Sequence, residues 1–283
     1  MYKLGDRFGY VGRTIRRIVS PKVQVLGTGN AFLPQGRLHS LTLIDGQHLI
    51  DAPPTVLASL RQANIPVSDI RTIFVTHLHG DHIFGFPFLL LERKYISDRN
   101  SIHPLRVVVA PGGKEVLYSL CTMAYPGSLD EIFHSIDWQE QSVGEVEGDL
   151  RWKKFQVQHV DEVDPFGYRF EYPSFSFVHS GDSGPCESLY SEIQTVDFVI
   201  IEMGVPDYVE TDEHHSPSTI RALADQCSTP LVITHTYIDE KDINSPVITD
   251  QQPNHPSHVY HASDGFTCSW NDSLGVIQFS NRA

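Results

Sequence analysis

Apolar residues recur along the chain at two spacings, and the switches between them mark the elements. Residues 23–29 (VQVLGTG) read as a strand running into a glycine turn, and 41–45 with 48–52 read as a hairpin around Asp45-Gly46. The spacing then becomes helical over 55–65, where Val56, Leu57, Leu60 and Ile65 are apolar. Residues 72–77 (TIFVTH) form a buried strand that ends on a histidine. Residues 104–112 give another strand, and a helix is predicted from about Lys114 to Ala124.

The second half repeats this grammar. Residues 153–160, 166–172, 174–182 and 197–203 read as strands, 216–227 as a helix with Ser216 at its N-cap, and 230–235 as a strand again ending on a histidine. The stretch from Asp239 to His261, rich in Pro, Asn and His, reads as a long loop before a final strand. Two groups of strands with helices between them predict an α/β (α+β) chain: two β-sheets packed face to face with helices outside. Residues 1–21 are expected to be an N-terminal extension and 22–283 a single domain. Residues 1–20 hold Arg13, Arg16 and Arg17 but no apolar run suited to a signal segment or a membrane span.

Composition changes this picture in four ways. A hydrophobic share of 40% over 283 residues supports a sizeable core and excludes a disordered chain. The net charge of −14 disfavours a nucleic-acid backbone as partner unless a basic patch or bound cations offset it. The four cysteines are widely spaced, with no C-x-x-C pair, and read as reduced thiols of a soluble, cytoplasmic protein. Fifteen histidines, finally, lean the expectation toward metal chemistry.

The strongest chemical signal is Thr76 to Pro87, THLHGDHIFGFP, just past a buried strand. Alternate residues of an extended turn face one way, so His77 and His79 can grip one cation while Asp81 and His82 face a second. Imidazoles with carboxylates suit zinc, manganese or iron. A lone histidine is usually structural; a cluster of this density at a strand end is not.

H-x-H-x-D-H resembles the metal signature of the metallo-β-lactamase superfamily, and THLHGDH followed by IFGFPFLL is similar to its ribonuclease Z branch. Other pieces fall in that family's order: LGTGNAFLPQGRLHS, HLIDAPPTVLASL, HVDEVDPFGYRFE, HSGDSGP, EHHSPSTIRALA, VITHTY and VYHASDGF. The resemblance spans roughly residues 22 to 270 and implies an αββα sandwich of two mixed sheets. It implies that His77, His79 and His159 bind one metal ion, that Asp81, His82 and His235 bind the other, and that Asp182 bridges them. Two zinc ions per chain are expected, with manganese as an alternative, and a hydroxide between them as the attacking group. Asp81 is counted with the catalytic residues as well as the ligands. His215 resembles the family's non-ligand histidine that donates to the phosphate or the leaving oxygen, with Glu202 orienting it. His214, its neighbour, fills that role under a one-residue shift. His39 and His179 are expected in supporting roles, Ser40 and Tyr168 near the pocket, and Cys186 beside the site without being a ligand.

The pattern departs from the family twice. Its D-C-G-E-G-T segment is here Asp51-Ala52-Pro53-Pro54-Thr55, which stiffens that turn and removes backbone donors. Ribonuclease Z enzymes also carry a long arm that grips transfer RNA between the G-Y-R strand and S-G-D; here only PSFSFVH lies between Tyr172 and Ser180. In this the chain is more similar to arm-less phosphodiesterases such as the anti-Pycsar enzymes. The expected function is therefore a phosphodiesterase for a small substrate such as a cyclic nucleotide. A ribonuclease Z-type nuclease for transfer-RNA precursors is the alternative. A thioester, lactone or β-lactam hydrolase and a non-catalytic metal-binding subunit rank below. The resemblance further implies a homodimer, and nothing points to a membrane.

Overall fold

A computed structural model describes residues 21–146, 149–237 and 256–281. Residues 1–20 of the expected extension over 1–21 lie outside the described residues, as does most of the predicted loop after Asp239. The described strands are β1 (Lys22–Gly27), β2 (Leu41–Ile44), β3 (His48–Ile50), β4 (Thr72–Phe74), β5 (Arg106–Val108), β6 (Asp137–Gln139), β7 (Val143–Val146), β8 (Leu150–Gln156), β9 (Phe166–Glu171), β10 (Ser176–His179), β11 (Phe198–Glu202), β12 (Leu231–Thr234), β13 (Val259–His261), β14 (Phe266–Asn271) and β15 (Val276–Ser280). The helices are α1 (Val56–Gln62), α2 (Gly80–Ile83), α3 (Phe86–Glu92), α4 (Gly113–Ala124), α5 (Asp130–His134), α6 (Glu187–Ile193) and α7 (Pro217–Ala224).

The strands build two mixed sheets, ordered β15-β14-β1-β2-β3-β4-β5-β6 and β13-β12-β11-β10-β9-β8-β7. In the first, β3 to β6 run parallel; in the second, β10 to β13 do. Between the sheets lies an aromatic layer. Phe74 meets Phe170 at 5.0 Å between centroids, Phe170 meets Phe177 at 4.9 Å, and Phe177 stacks on Phe198 at 5.0 Å. Each such ring, fully buried, contributes on the order of 1.5–3 kcal/mol over an exposed one. A second apolar cluster lies where α1, α3 and α4 supply Leu60, Leu89 and Leu117 against the first sheet. A third places Leu189 of α6 and Ile220 of α7 on the second sheet. The architecture is the αββα sandwich of the metallo-β-lactamase fold.

Local chemistry explains the joints. The β2–β3 hairpin turns at Asp45 (φ 52°) and Gly46 (φ 72°), the left-handed pair that a two-residue turn needs. Asp45 also accepts hydrogen bonds from the Lys22 amide (2.8 Å) and the Tyr172 hydroxyl (2.6 Å), tying the two sheets together. Helix α7 starts with Ser216 and Thr219 in a reciprocal capping box. The four cysteines are unpaired. Among the described residues no helix is long and apolar enough to cross a membrane.

Three expectations need correction. The segment after His79 is not an extended turn: His79 is extended (ψ 151°), but Gly80–Ile83 is a helical turn that leads into α3. The C-terminal region holds three strands, β13 to β15, instead of one. Strands β6 and β7 and helices α5 and α6 were not foreseen. Their apolar signal is thin, since β6 is Asp-Trp-Gln and β7 exposes Val143 and Glu145 at a sheet edge.

Candidate active site

The ends of six strands converge at one rim of the sandwich. Asp51 follows β3, His77 and His79 follow β4, and His159 follows β8. Asp182 follows β10, Glu202 ends β11 and His235 follows β12. Two of these residues hold left-handed backbones that non-glycine residues rarely adopt, Asp51 (φ 70°) and His235 (φ 47°).

Two pockets result. In one, the ligand atoms of His77, His79 and His159 lie within 4.8 Å of one another; in the other, those of Asp81, His82, Asp182 and His235 do. His77 Nε2 is 3.1 Å and His159 Nε2 3.2 Å from His79 Nδ1. The tautomers follow from the opposite edges of the rings. His159 Nδ1 lies 2.9 Å from the Glu213 carbonyl, which can only accept, so Nδ1 carries the proton and Nε2 a lone pair. Thr76 Oγ1 donates its proton to Asp51 Oδ2 (2.8 Å) and accepts from His77 Nδ1 (3.0 Å), leaving the His77 Nε2 lone pair facing the pocket. Burial and the neighbouring His82 hold the His77 pKa well below the ordinary range; burial likewise lowers that of His79. Converging lone pairs of this kind suit a cation.

The second pocket is charged. His82 Nδ1 donates to Asp51 Oδ2 (2.8 Å), while its Nε2 is 3.4 Å from Asp182 and 3.5 Å from Asp81 and has no hydrogen-bond partner. His235 Nε2 lies 3.3 Å from both Asp81 and Asp182. Asp182 also sits 3.8 Å from His77 Nε2, so its carboxylate reaches both pockets. Burial raises the Asp182 and Asp81 pKa values, but the surrounding histidines outweigh it and hold both carboxyls low. The carboxylates in turn lift His82 well above its ordinary range, although burial opposes them. The donor set thus demands positive charge and fits divalent metal ions.

Asp51 was not singled out from the sequence as a site residue. It accepts the Thr76 amide and hydroxyl and the His82 ring, so one carboxylate orients ligands of both pockets. Its sequence signals are its place directly after an apolar strand and at the head of the segment that resembles D-C-G-E-G-T.

The histidine pair at the start of α7 divides against the expectation. His215 is fully buried, with Nδ1 2.5 Å from the Ser183 carbonyl and Nε2 3.2 Å from the Tyr190 hydroxyl, so both ring nitrogens are engaged away from the pockets. His214 takes the forward place. Its ring lies 4.8 Å from that of His159 and stacks parallel to His235 at 6.1 Å, with Nδ1 2.8 Å from Glu202. The two residues lie in the irregular segment just before α7, and their side chains reach opposite partners, His214 toward Glu202 and His215 toward Ser183 and Tyr190. Glu202 is fixed by the Ser183, Gly204 and His215 amides as well. Burial alone would depress the His214 pKa, but the charge and hydrogen bond of Glu202 carry it up to about 9, whereas burial lowers that of His215.

The remaining expected neighbours have structural partners. His179 accepts from the Gly181 amide, Tyr168 donates to the Val75 carbonyl inside the aromatic layer, and His39 contacts Thr55. Ser40 Oγ lies 3.4 Å from Thr234 Oγ1, and Cys186 sits at the N-cap of α6 near Ser183. None of them enters either pocket.

A sequence model of the family "Anti-Pycsar protein Apyc1" matches residues 21–246, most of the chain and all seven pocket residues. The chain belongs to the Apyc1 family. It is a metal-dependent hydrolase acting on phosphodiester bonds. Among curated proteins, a ribonuclease Z of Pyrobaculum aerophilum is 25% identical over 86% of this chain and 96% of its own length. Among solved structures, the metallo-β-lactamase fold protein YhfI of Bacillus subtilis superposes with a TM-score of 0.69 at 17% identity, over 88% of this chain and 99% of that one. The short form of human tRNase Z does so with a TM-score of 0.65 at 20% identity, over 88% and 98%. This chain is thus similar both to the Apyc1 family model and to ribonuclease Z enzymes.

Proposed function

We propose that this chain opens a small phosphodiester, a cyclic mononucleotide, at a pair of divalent ions, zinc by expectation with manganese as the alternative. The observation that carries this reading is the pair of adjacent pockets sharing Asp182, in a chain of the Apyc1 family. His77, His79 and His159 would hold one ion, Asp81, His82 and His235 the other, with Asp182 between. Such a pair, when bound, lowers the pKa of nearby water and draws charge from phosphoryl oxygens.

The chain's own residues do the rest. Asp51 fixes the rings of His82 and, through Thr76, of His77, so that their Nε2 atoms face the ions. Glu202 holds His214 by Nδ1 and keeps it protonated, leaving Nε2–H for the substrate. As water adds to phosphorus and the ester P–O bond breaks, His214 passes its proton to the departing ribose oxygen. General acid catalysis of this kind is worth on the order of 10²–10⁴ in rate. His214 replaces His215 in this role because His215 has no free ring nitrogen to offer.

A ribonuclease Z-type cut at the 3′ end of a transfer-RNA precursor is the second reading, favoured by the curated relative from Pyrobaculum aerophilum. The connection between β9 and β10 weighs against it. Only residues 172–175 join the strands, closed by a hydrogen bond from the Tyr172 amide to the Phe175 carbonyl (2.8 Å), and no gripping arm emerges there. An acidic chain without that arm would hold a long polyanion poorly, whereas two cations supply the charge one phosphate needs. A cytoplasmic homodimer completes the proposal, by resemblance to ribonuclease Z-like proteins; light scattering of the purified chain checks the dimer.

Turnover measured across 3′,5′-cyclic mononucleotides, cyclic dinucleotides and a transfer-RNA precursor, with zinc or manganese, tests the substrate. A cyclic mononucleotide is expected to show the highest kcat/KM, with mild salt dependence. Efficient trimming of the precursor with no turnover of any cyclic nucleotide would replace this reading with the nuclease one.

A further inference from the structure

Beside the second pocket the chain displays an aromatic pair that the chemistry above does not use. The loop after β1 ends its turn at Phe32, which is 77% exposed. Its ring meets that of Tyr237 edge to face, 6.0 Å between centroids at 80°. Tyr237 follows His235 by two residues, so one member of the pair hangs from the chain segment that supplies a pocket histidine.

The loop is held against the site, not merely near it. Gly29 pairs with both His39 and Thr236, and the Thr236 amide donates to the Thr28 carbonyl at 2.8 Å. Asn30 is buried. Its Nδ2 donates to the Gly204 carbonyl (3.1 Å), and its Oδ1 accepts from the Phe32 amide (3.0 Å). Gly204 is wedged among the acid–base groups: a Cβ there would lie 2.9 Å from His214 Nδ1, 3.0 Å from Glu202 Oε2 and 3.3 Å from His235 Nδ1. Asn30 therefore fixes the backbone of Phe32 to the residue packed between His214 and His235. Leu33, next in sequence, is left-handed (φ 51°, ψ 50°), a conformation leucine rarely adopts and one found where surrounding structure enforces it.

A large apolar ring, exposed on a pinned and strained turn at the mouth of a polar site, is organised to receive a flat apolar surface. We propose that Phe32, backed by Tyr237, is the stacking platform for the nucleobase of the substrate. The inference rests on the reading of the substrate as a nucleotide. The phosphate is held at the pockets, and the base extends past His235 onto the Phe32 face. Stacking of a base on an aromatic ring tolerates any base, because every base has a π-face. Phe32 therefore contributes to affinity for nucleotides as a class and little to the choice among them.

The test compares a nucleoside 3′,5′-cyclic phosphate with abasic ribose 3′,5′-cyclic phosphate, using Phe32→Ala, Phe32→Trp and Tyr237→Leu. Phe32→Ala is expected to raise KM for the nucleotide by roughly ten-fold or more, the usual scale of one base–aromatic contact, with kcat nearly unchanged. It should leave the abasic substrate unaffected. Phe32→Trp restores KM, and its fluorescence is quenched on rapid mixing with the nucleotide but not with the abasic compound. Tyr237→Leu gives a smaller rise of the same kind. Equal losses on both substrates, or no rise in KM for the nucleotide, overturn the platform. Quenching without turnover of any cyclic nucleotide would leave the platform standing and remove the proposed reaction; turnover without quenching and without a KM change would do the reverse.

Discussion

The imidazole pocket of His77, His79 and His159 brings no charge of its own, whereas the neighbouring pocket sets His82 and His235 among Asp81 and Asp182, with Asp51 behind. A divalent ion held in the second pocket would have two carboxylates, Asp81 and Asp182, among its possible partners. One in the first would meet the single carboxylate of Asp182, which reaches both His77 and His159. At an effective dielectric near 20, one unit-charge contact at 4 Å is worth about 4 kcal/mol, so the two sites should differ widely in affinity. The carboxylate pocket is therefore expected to fill first and release last. The imidazole pocket is half open at His79 and therefore the one that acid or chelator empties first. Asp182, which reaches both pockets, couples them.

Substitutions sharpen this contrast. Asp182→Ala is expected to have the largest effect, loss of both ions and of turnover, because the shared carboxylate goes. His159→Ala should keep close to one ion per chain, since it dismantles the imidazole pocket alone. Elemental analysis of the two variants separates them, and equal residual metal in both would dissolve the distinction between the pockets.

The adjacent histidines offer a finer break. His214→Ala should retain both ions and lose on the order of 10²–10⁴ in turnover. His215→Ala should act on stability instead, by about 1–3 kcal/mol, because it strands the Ser183 carbonyl and the Tyr190 hydroxyl inside the fold. Denaturant melts and kcat together decide this. A nearly silent His214→Ala beside a crippled His215→Ala reverses the assignment.

Glu202→Gln should give the smallest of these effects, read as a shift in pH profile. The carboxylate raises the His214 pKa to about 9, so the proton needed for leaving-group protonation is present below that value and lost as pH rises through it. Removing the carboxylate charge moves the alkaline limb of kcat/KM downward, toward the ordinary histidine value near 6.5. An unmoved limb would mean that another group sets it.

The same contrast shows what a sequence can reveal. His77, His79, Asp81 and His82 stand within six residues, so their cluster is visible before any fold is known. His159, Asp182 and His235 become visible through the resemblance of their motifs, taken in order, to those of the family. Asp51 heads a recognisable segment, but its role exists only across space, where β3 and β4 run parallel and bring it beneath Thr76 and His82. The order of His214 and His215 escapes notice because adjacent residues ahead of α7 face pocket and core, and nothing in E-H-H-S-P says which faces which. The alternation of strands and helices revealed both sheets, but not the short polar edge strands β6 and β7, whose backbone pairing with β5 and β8 is specified by neighbours more than by their own apolar residues.

Zinc added stepwise to the metal-free chain, with opening of a 3′,5′-cyclic mononucleotide followed at each step, tests the two-pocket account most directly. The account predicts a tight first equivalent that fills the carboxylate pocket with little turnover. A weaker second equivalent should then bring activity, which levels off at two ions per chain. Full activity at one equivalent, or a chain that binds two ions and opens no cyclic nucleotide, would contradict it.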